Sequence, residues 1–123
     1  MICLDTNFLI RGLVRGSPES LELREWVKRG EIIVTSTVAW YEFLCGPVSD
    51  REIRTMRAFV QQLLPFEESQ AVVAATLFNA GGRKRAHRVE MMIAAAAIAS
   101  DARLATSNRA DFTHFTASGL VFA

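Results

Sequence analysis

The chain has 123 residues, 50% of them hydrophobic, and its 14 Lys and Arg nearly cancel its 13 Asp and Glu to leave a net charge of +1. Such a length suits a single domain that buries most of its surface, so residues 1–123 are expected to form one unit. The composition excludes a disordered tail and a broadly basic nucleic-acid binder, and any contact with nucleic acid must come from local patches.

The elements alternate between strand and helix. Met1–Leu4 is a short apolar strand that turns at Asp5-Thr6-Asn7 into a helix over about Phe8–Val14. Ser17-Pro18 opens a second helix, with Ser as N-cap and Pro at the first helical position. Glu19 and Glu22 lie in its first turn, Lys28 and Arg29 in its last, and Gly30 closes it, as the helix dipole and C-cap geometry favour. Ile32-Ile33-Val34 is a β-branched strand, followed by a helix from about Thr37 to Gly46-Pro47. Ser49 and Glu52 form a capping box for a helix whose apolar face runs Ile53, Met56, Val60, Leu63 and Leu64, up to Pro65. Another helix spans about Glu67–Asn79 and stops at Gly81-Gly82. Val89–Ser100 is an alanine-rich helix, Arg103–Thr106 a strand, and Leu120-Val121-Phe122 a last edge strand. Apolar strands alternating with helices imply an α/β fold, a central parallel sheet covered by helices on both faces. The run Ala94–Ala97 then serves close packing on the sheet.

Three acids stand alone in apolar company. Asp5 is the only charged side chain among residues 1–10, Glu42 the only one between Glu31 and Asp50, and none follows Glu90 before Asp101. Burying an unpaired carboxylate costs several kcal/mol or raises its pKa, and no Lys or Arg directly adjoins these three. A bound cation is the natural partner. A fourth acid, Asp111, follows the Arg103–Thr106 strand in what the sequence presents as a loop. In an open parallel sheet the ligand crevice lies beyond the carboxyl ends of the strands, where all four can meet.

In this order, Leu4-Asp5-Thr6-Asn7, a Ser-containing strand end followed by Glu42 in a helix, Glu90 before Ile93-Ala94-Ala95, and Thr106-x-Asn108-x-x-Asp111-Phe112 resemble a PIN domain over essentially the whole chain. Its compact size resembles the toxin ribonucleases of bacterial VapBC toxin–antitoxin modules. The resemblance implies a metal-dependent endoribonuclease in which Asp5, Glu42, Glu90 and Asp111 bind one or two Mg²⁺ or Mn²⁺ ions. It also implies supporting roles for Thr6, Asn7, Thr106 and Asn108, an RNA substrate, an inhibitory antitoxin partner and a homodimer. Glu90 departs from the pattern, which usually has Asp there. The apolar residues Phe8, Leu9, Leu13, Leu23, Trp26 and Val27 on the first two helices offer surface for such a dimer.

Other readings fit less well. A dehalogenase-type phosphatase wants a second acid two residues after the first, where this chain has Asn7. A receiver domain wants an adjacent acidic pair and a late lysine, which are lacking. The remaining competitor is a non-catalytic PIN-like module that binds RNA or protein, but all four acidic positions keep an acid. Arg83, Lys84, Arg85 and Arg88 form the one dense basic patch and are the candidate RNA-binding residues. His87 and His114 are expected at the surface, and Trp40 and Tyr41 in core or dimer packing.

No run is long enough for the ~20 apolar residues that span a bilayer. Met1 leads directly into a strand rather than a secretory signal, so a cytoplasmic location without membrane contact is expected. Cys3 and Cys45, both in apolar segments, are expected as buried, reduced thiols.

Overall fold

A computed structural model describes residues 1–123. Four strands, β1 (Ile2–Leu4), β2 (Ile33–Ser36), β3 (Gln62–Leu64) and β4 (Arg103–Ala105), form one parallel sheet in the order β3-β2-β1-β4. Seven helices flank it: α1 (Thr6–Arg11), α2 (Pro18–Lys28), α3 (Thr37–Cys45), α4 (Asp50–Phe59), α5 (Glu68–Ala80), α6 (Arg88–Ala99) and α7 (Arg109–Phe112). The α/β architecture expected from the strand–helix alternation is therefore present.

The two central strands, β1 and β2, are fully buried, as helix-covered parallel strands are, with β1 apolar throughout and β2 ending in the buried Thr35 and Ser36. Cys3 of β1 pairs with Val34 on one side and Leu104 on the other, so β1 joins the early and late parts of the chain. The chain adds β2 and β3 on one side of β1 and then crosses to place β4 on the other. The switch in direction therefore falls between β1 and β4, where open α/β sheets form their ligand crevices. Helix α6 buries Met91, Ile93 and Ala94–Ala97. Four small side chains in succession let it lie close against both α5 and the sheet.

Several local expectations change. Helix α1 starts at Thr6 rather than Phe8, because Asp5 itself is the N-cap and accepts from the Phe8 N–H. Helix α4 ends at Phe59, and Leu63-Leu64 belong to β3 rather than to its apolar face. The 3.6-residue spacing runs past the true end, but backbone pairing with β2 prevails. Gln61 secures that switch at both ends of one residue, its N–H donating to the Ile33 carbonyl and its side-chain oxygen accepting from the Ile33 N–H. The C-terminal strand is reduced to a single parallel bridge between Leu104 and Phe122. Cys3 is buried as expected, and burial pushes its thiol pKa up to about 12, whereas Cys45 is exposed at the end of α3. Phe8, Leu9 and Leu23 lie in the core with Leu13 and Trp26 packed against it, so most of the apolar surface assigned to a dimer on α1 and α2 is already used. No helix is long and apolar enough to cross a membrane.

Candidate metal centre

Asp5 leaves β1 and immediately caps α1. Its Oδ1 accepts from the Phe8 N–H at 2.7 Å, and its own N–H donates to the Ala105 carbonyl of β4 at 3.1 Å. The side chain is 3% exposed, and burial, followed by the nearby charges of Glu42 and Asp111, raises its pKa above the usual carboxylate value. Hydrogen bonds from Thr106 and the Phe8 N–H oppose the rise without cancelling it. A structural role as helix cap and a charged role beside two other acids thus coincide in one residue.

The other acids arrive from three different elements. Glu42 lies midway along α3, whose start is fixed by Ser36 capping the Ala39 N–H at 3.0 Å. The Thr6 hydroxyl donates to Glu42 Oε1 at 2.6 Å and orients that carboxylate from α1. Glu90 sits in the first turn of α6. Asp111 is exposed on α7, a four-residue helix where the sequence suggested a loop. Asp5, Thr6, Asn7, Glu42, Glu90, Asn108 and Asp111 line one crevice of about 140 Å³, closed on its apolar side by Val89, Ile93 and Phe112. All four acids are thus brought together from the ends of the chain. Only Asp5 is fully buried, so the interior placement expected of Glu42 and Glu90 holds only halfway.

No cation neutralises them. The four ion pairs of the protein are Met1–Glu31, Arg11–Glu19, Lys28–Glu25 and Arg103–Glu31, none involving a crevice acid. The crevice lining has no Lys, Arg or His. Its polar groups are carboxylates, amides and a hydroxyl, an oxygen-rich set of the kind hard divalent cations prefer. No three acidic, imidazole or thiol side chains close on one point as a complete cage.

Thr106 lies behind the crevice rather than in its lining. It is buried, its hydroxyl accepts from the Asn108 N–H at 3.0 Å, and it also serves Asp5. Nothing in the local residue pattern signals the next link. Ser107 donates to Glu19 Oε1 at 2.6 Å, and the same oxygen takes the Arg11 Nε at 2.7 Å. Glu19 is buried, its pKa is held below the usual value first by the Ser107 hydroxyl, and its Oε2 has no partner. The first turn of α2 therefore anchors the loop that carries Thr106 and Asn108. In sequence Glu19 shows only as a first-turn acid, a role any exposed Glu fills.

A family model described as the PIN domain matches residues 2–116, and the chain belongs to that family. No curated protein matches the sequence significantly. Similar solved structures include VapBC2 from Rickettsia felis bound to a DNA fragment from its promoter, with 18% identity, TM-score 0.73, and 100% of this chain and 98% of that one covered. FitAcB from Neisseria gonorrhoeae is 21% identical with a TM-score of 0.69, covering 100% and 97%. VapBC-1 from nontypeable Haemophilus influenzae is 22% identical with a TM-score of 0.69, again covering 100% and 97%. At these identities the likeness is one of fold.

Proposed function

We propose that this PIN domain is a metal-dependent endoribonuclease acting as the toxin of a toxin–antitoxin pair. The observation that carries the reading is the crevice itself, four carboxylates from positions 5 to 111 lining one pocket with no positive group among them. PIN domains are generally nucleases, and solved structures similar in fold include members of VapBC and Fit systems. Asp5, Glu42, Glu90 and Asp111 would hold one or two Mg²⁺ or Mn²⁺ ions. When bound, such ions supply Lewis-acid activation of water and of the scissile phosphate.

The remaining roles belong to the chain. Thr6 holds Glu42 in place, Thr106 and the Phe8 N–H hold Asp5, and Asn7 and Asn108 offer neutral polar contacts at the rim. Val89, Ile93 and Phe112 keep one wall dry, which strengthens electrostatics inside. Arg83, Lys84, Arg85 and Arg88 supply the positive approach for a single RNA strand. A net charge of +1 gives too little positive surface for a duplex. The inhibitory partner is an antitoxin whose Arg engages the crevice acids, since a guanidinium fork matches a carboxylate pair. The toxin acts as a homodimer in the cytoplasm, as its resemblance to the VapC toxins implies.

The decisive test is cleavage of structured RNA by purified protein with Mn²⁺ and again with EDTA, alongside calorimetric Mn²⁺ titration. Cleavage that appears with metal and vanishes with chelator is expected. EDTA-resistant cleavage, or no Mn²⁺ binding at all, would overturn the reading and favour a non-catalytic binding module.

A further inference from the structure

The basic segment that looks like one patch in the sequence is divided by the fold. Gly82 and Arg83 both have positive φ, 79° and 61°, and a 3-10 turn follows at Arg85–His87. Arg83, Arg85 and Arg88 then line a cavity floored by Phe78 and Met92, while Lys84 and His87 line a different one with His114 and Asp111. Met91 contributes to both.

Two of the three arginine side chains already have partners within the protein. The Arg83 guanidinium lies 5.2 Å from the Phe78 ring centre and donates to Asn79 Oδ1 at 2.7 Å, and Arg88 Nε donates to the Arg85 carbonyl at 3.3 Å. Lys84 belongs to no ion pair. The His87 and His114 rings meet edge to face at 5.8 Å, bringing imidazoles from either side of α6 and α7 to one cavity of about 420 Å³. Lys offers three donors and no acceptor, and each imidazole at least one N–H, so this cavity is furnished to receive an acceptor-rich anion.

Its position gives the anion a source. Two cavities share an acid with the acidic crevice, this one through Asp111 and another through Glu42. The Glu42 cavity is walled by Thr37, Val38, Tyr41, Val89 and Met92 and holds no cation. Of the two cavities that share an acid with the crevice, only the one on the Asp111 side has a cation in its own lining; the Glu42 cavity meets the arginine cavity only at Met92.

We propose that Lys84, His87 and His114 form a phosphate subsite for the RNA nucleotide next to the one held at the acidic crevice. The strand then passes Asp111, with the Arg83–Arg85–Arg88 cavity as a separate, outer contact. This assignment rests on the nuclease reading above, but it is separable from it by experiment.

The chain has only two histidines, so its imidazole proton NMR signals report this subsite directly. The probe is a mixed-sequence single-stranded RNA decamer titrated into wild-type protein in Ca²⁺ buffer. Both histidines should shift together on addition of the decamer, and should still do so in an Arg83→Ala/Arg85→Ala/Arg88→Ala variant. A Lys84→Ala/His87→Ala/His114→Ala variant should bind the decamer about tenfold more weakly by fluorescence anisotropy. Its salt slope should flatten by roughly 0.7, the value of one single-strand phosphate contact. Its Mn²⁺ affinity by calorimetry should match that of wild type. Decamer binding that moves neither histidine, or an unchanged slope in the variant, overturns the subsite. Absence of Mn²⁺ binding by wild-type protein instead overturns the metal-centre reading, and histidine shifts would then mark an RNA surface without catalysis.

Discussion

Replacing Asp5 separates two roles that share one carboxylate. As N-cap it accepts the Phe8 N–H at 2.7 Å, and as a buried charge it faces Glu42 and Asp111. Asn is as good an N-cap as Asp, whereas Ala loses about 1 kcal/mol of capping. For a domain of this size 1 kcal/mol moves the melting temperature by about 4 °C. Without metal, Asp5→Asn should therefore melt at or slightly above wild type, because the cap survives and carboxylate repulsion falls. Asp5→Ala should melt about 4 °C below Asp5→Asn. With Mn²⁺ at a hundred times its Kd, wild type gains about 2.7 kcal/mol, or roughly 10 °C, and both variants should lose most of that gain. RNA cleavage should fall at least on the order of 10²–10³-fold in both, the loss seen when one charge-stabilising group is removed from other active sites. Differential scanning fluorimetry and a gel-based cleavage assay measure all of this. Wild-type cleavage, or an undiminished Mn²⁺ shift, in a rigorously purified Asp5→Asn protein would show that the carboxylate is only a cap.

Other outcomes follow from the same geometry. Ca²⁺ should raise the melting temperature yet support little cleavage, because its looser coordination suits in-line displacement less well; robust Ca²⁺-driven cleavage would contradict this. Thr6→Val removes the 2.6 Å hydrogen bond to Glu42 and should weaken Mn²⁺ binding by about 10–100-fold, the usual cost of an orienting partner, with calorimetry as the check. Asp5 has a raised folded-state pKa, so the folded state holds its proton more tightly than the unfolded chain. In metal-free protein its contribution to stability is therefore lost as pH rises from the ordinary carboxylate value of 3.8 through the raised one. The difference in unfolding free energy between Asp5→Asn and wild type should grow over that interval, and a flat difference would refute the shift. Light scattering should give a dimer, and expression without a partner should arrest growth; a harmless monomer would remove the toxin role.

Asp5, Glu42 and Glu90 were legible because each breaks a local rule, a lone charge inside an apolar segment, whereas Asp111 was legible by its place after the Arg103–Thr106 strand and by the family resemblance. The carboxyl-end crevice was equally accessible, since strand–helix alternation implies a parallel sheet, but the strand order that sets the switch point between β1 and β4 was not. What escaped depends on contacts made at a distance. Leu63 and Leu64 continue the helical spacing of α4, and only pairing with β2 makes them a strand. Glu19 meets Ser107 across 88 positions, which no periodicity encodes. Apolar residues on α1 and α2 looked available for a partner because amphipathic pattern tells which face is apolar, not what covers it. The basic run looked like one patch because side-chain direction there depends on a positive-φ turn at Gly82 and Arg83.

The order of strands also bears on when this protein becomes active during its own synthesis. β1 emerges first, but its neighbour β4 is among the last elements made, and both Asp5 and Asp111 depend on that pairing for their place. Contacts of such long sequence separation form late, after most of the chain's entropy has been surrendered. A nascent chain, or one released early by premature termination, holds at most three of the four acids and lacks the wall that gathers them. On the proposed ribonuclease reading, the protein is thereby kept inert while it is still attached to the machinery translating it.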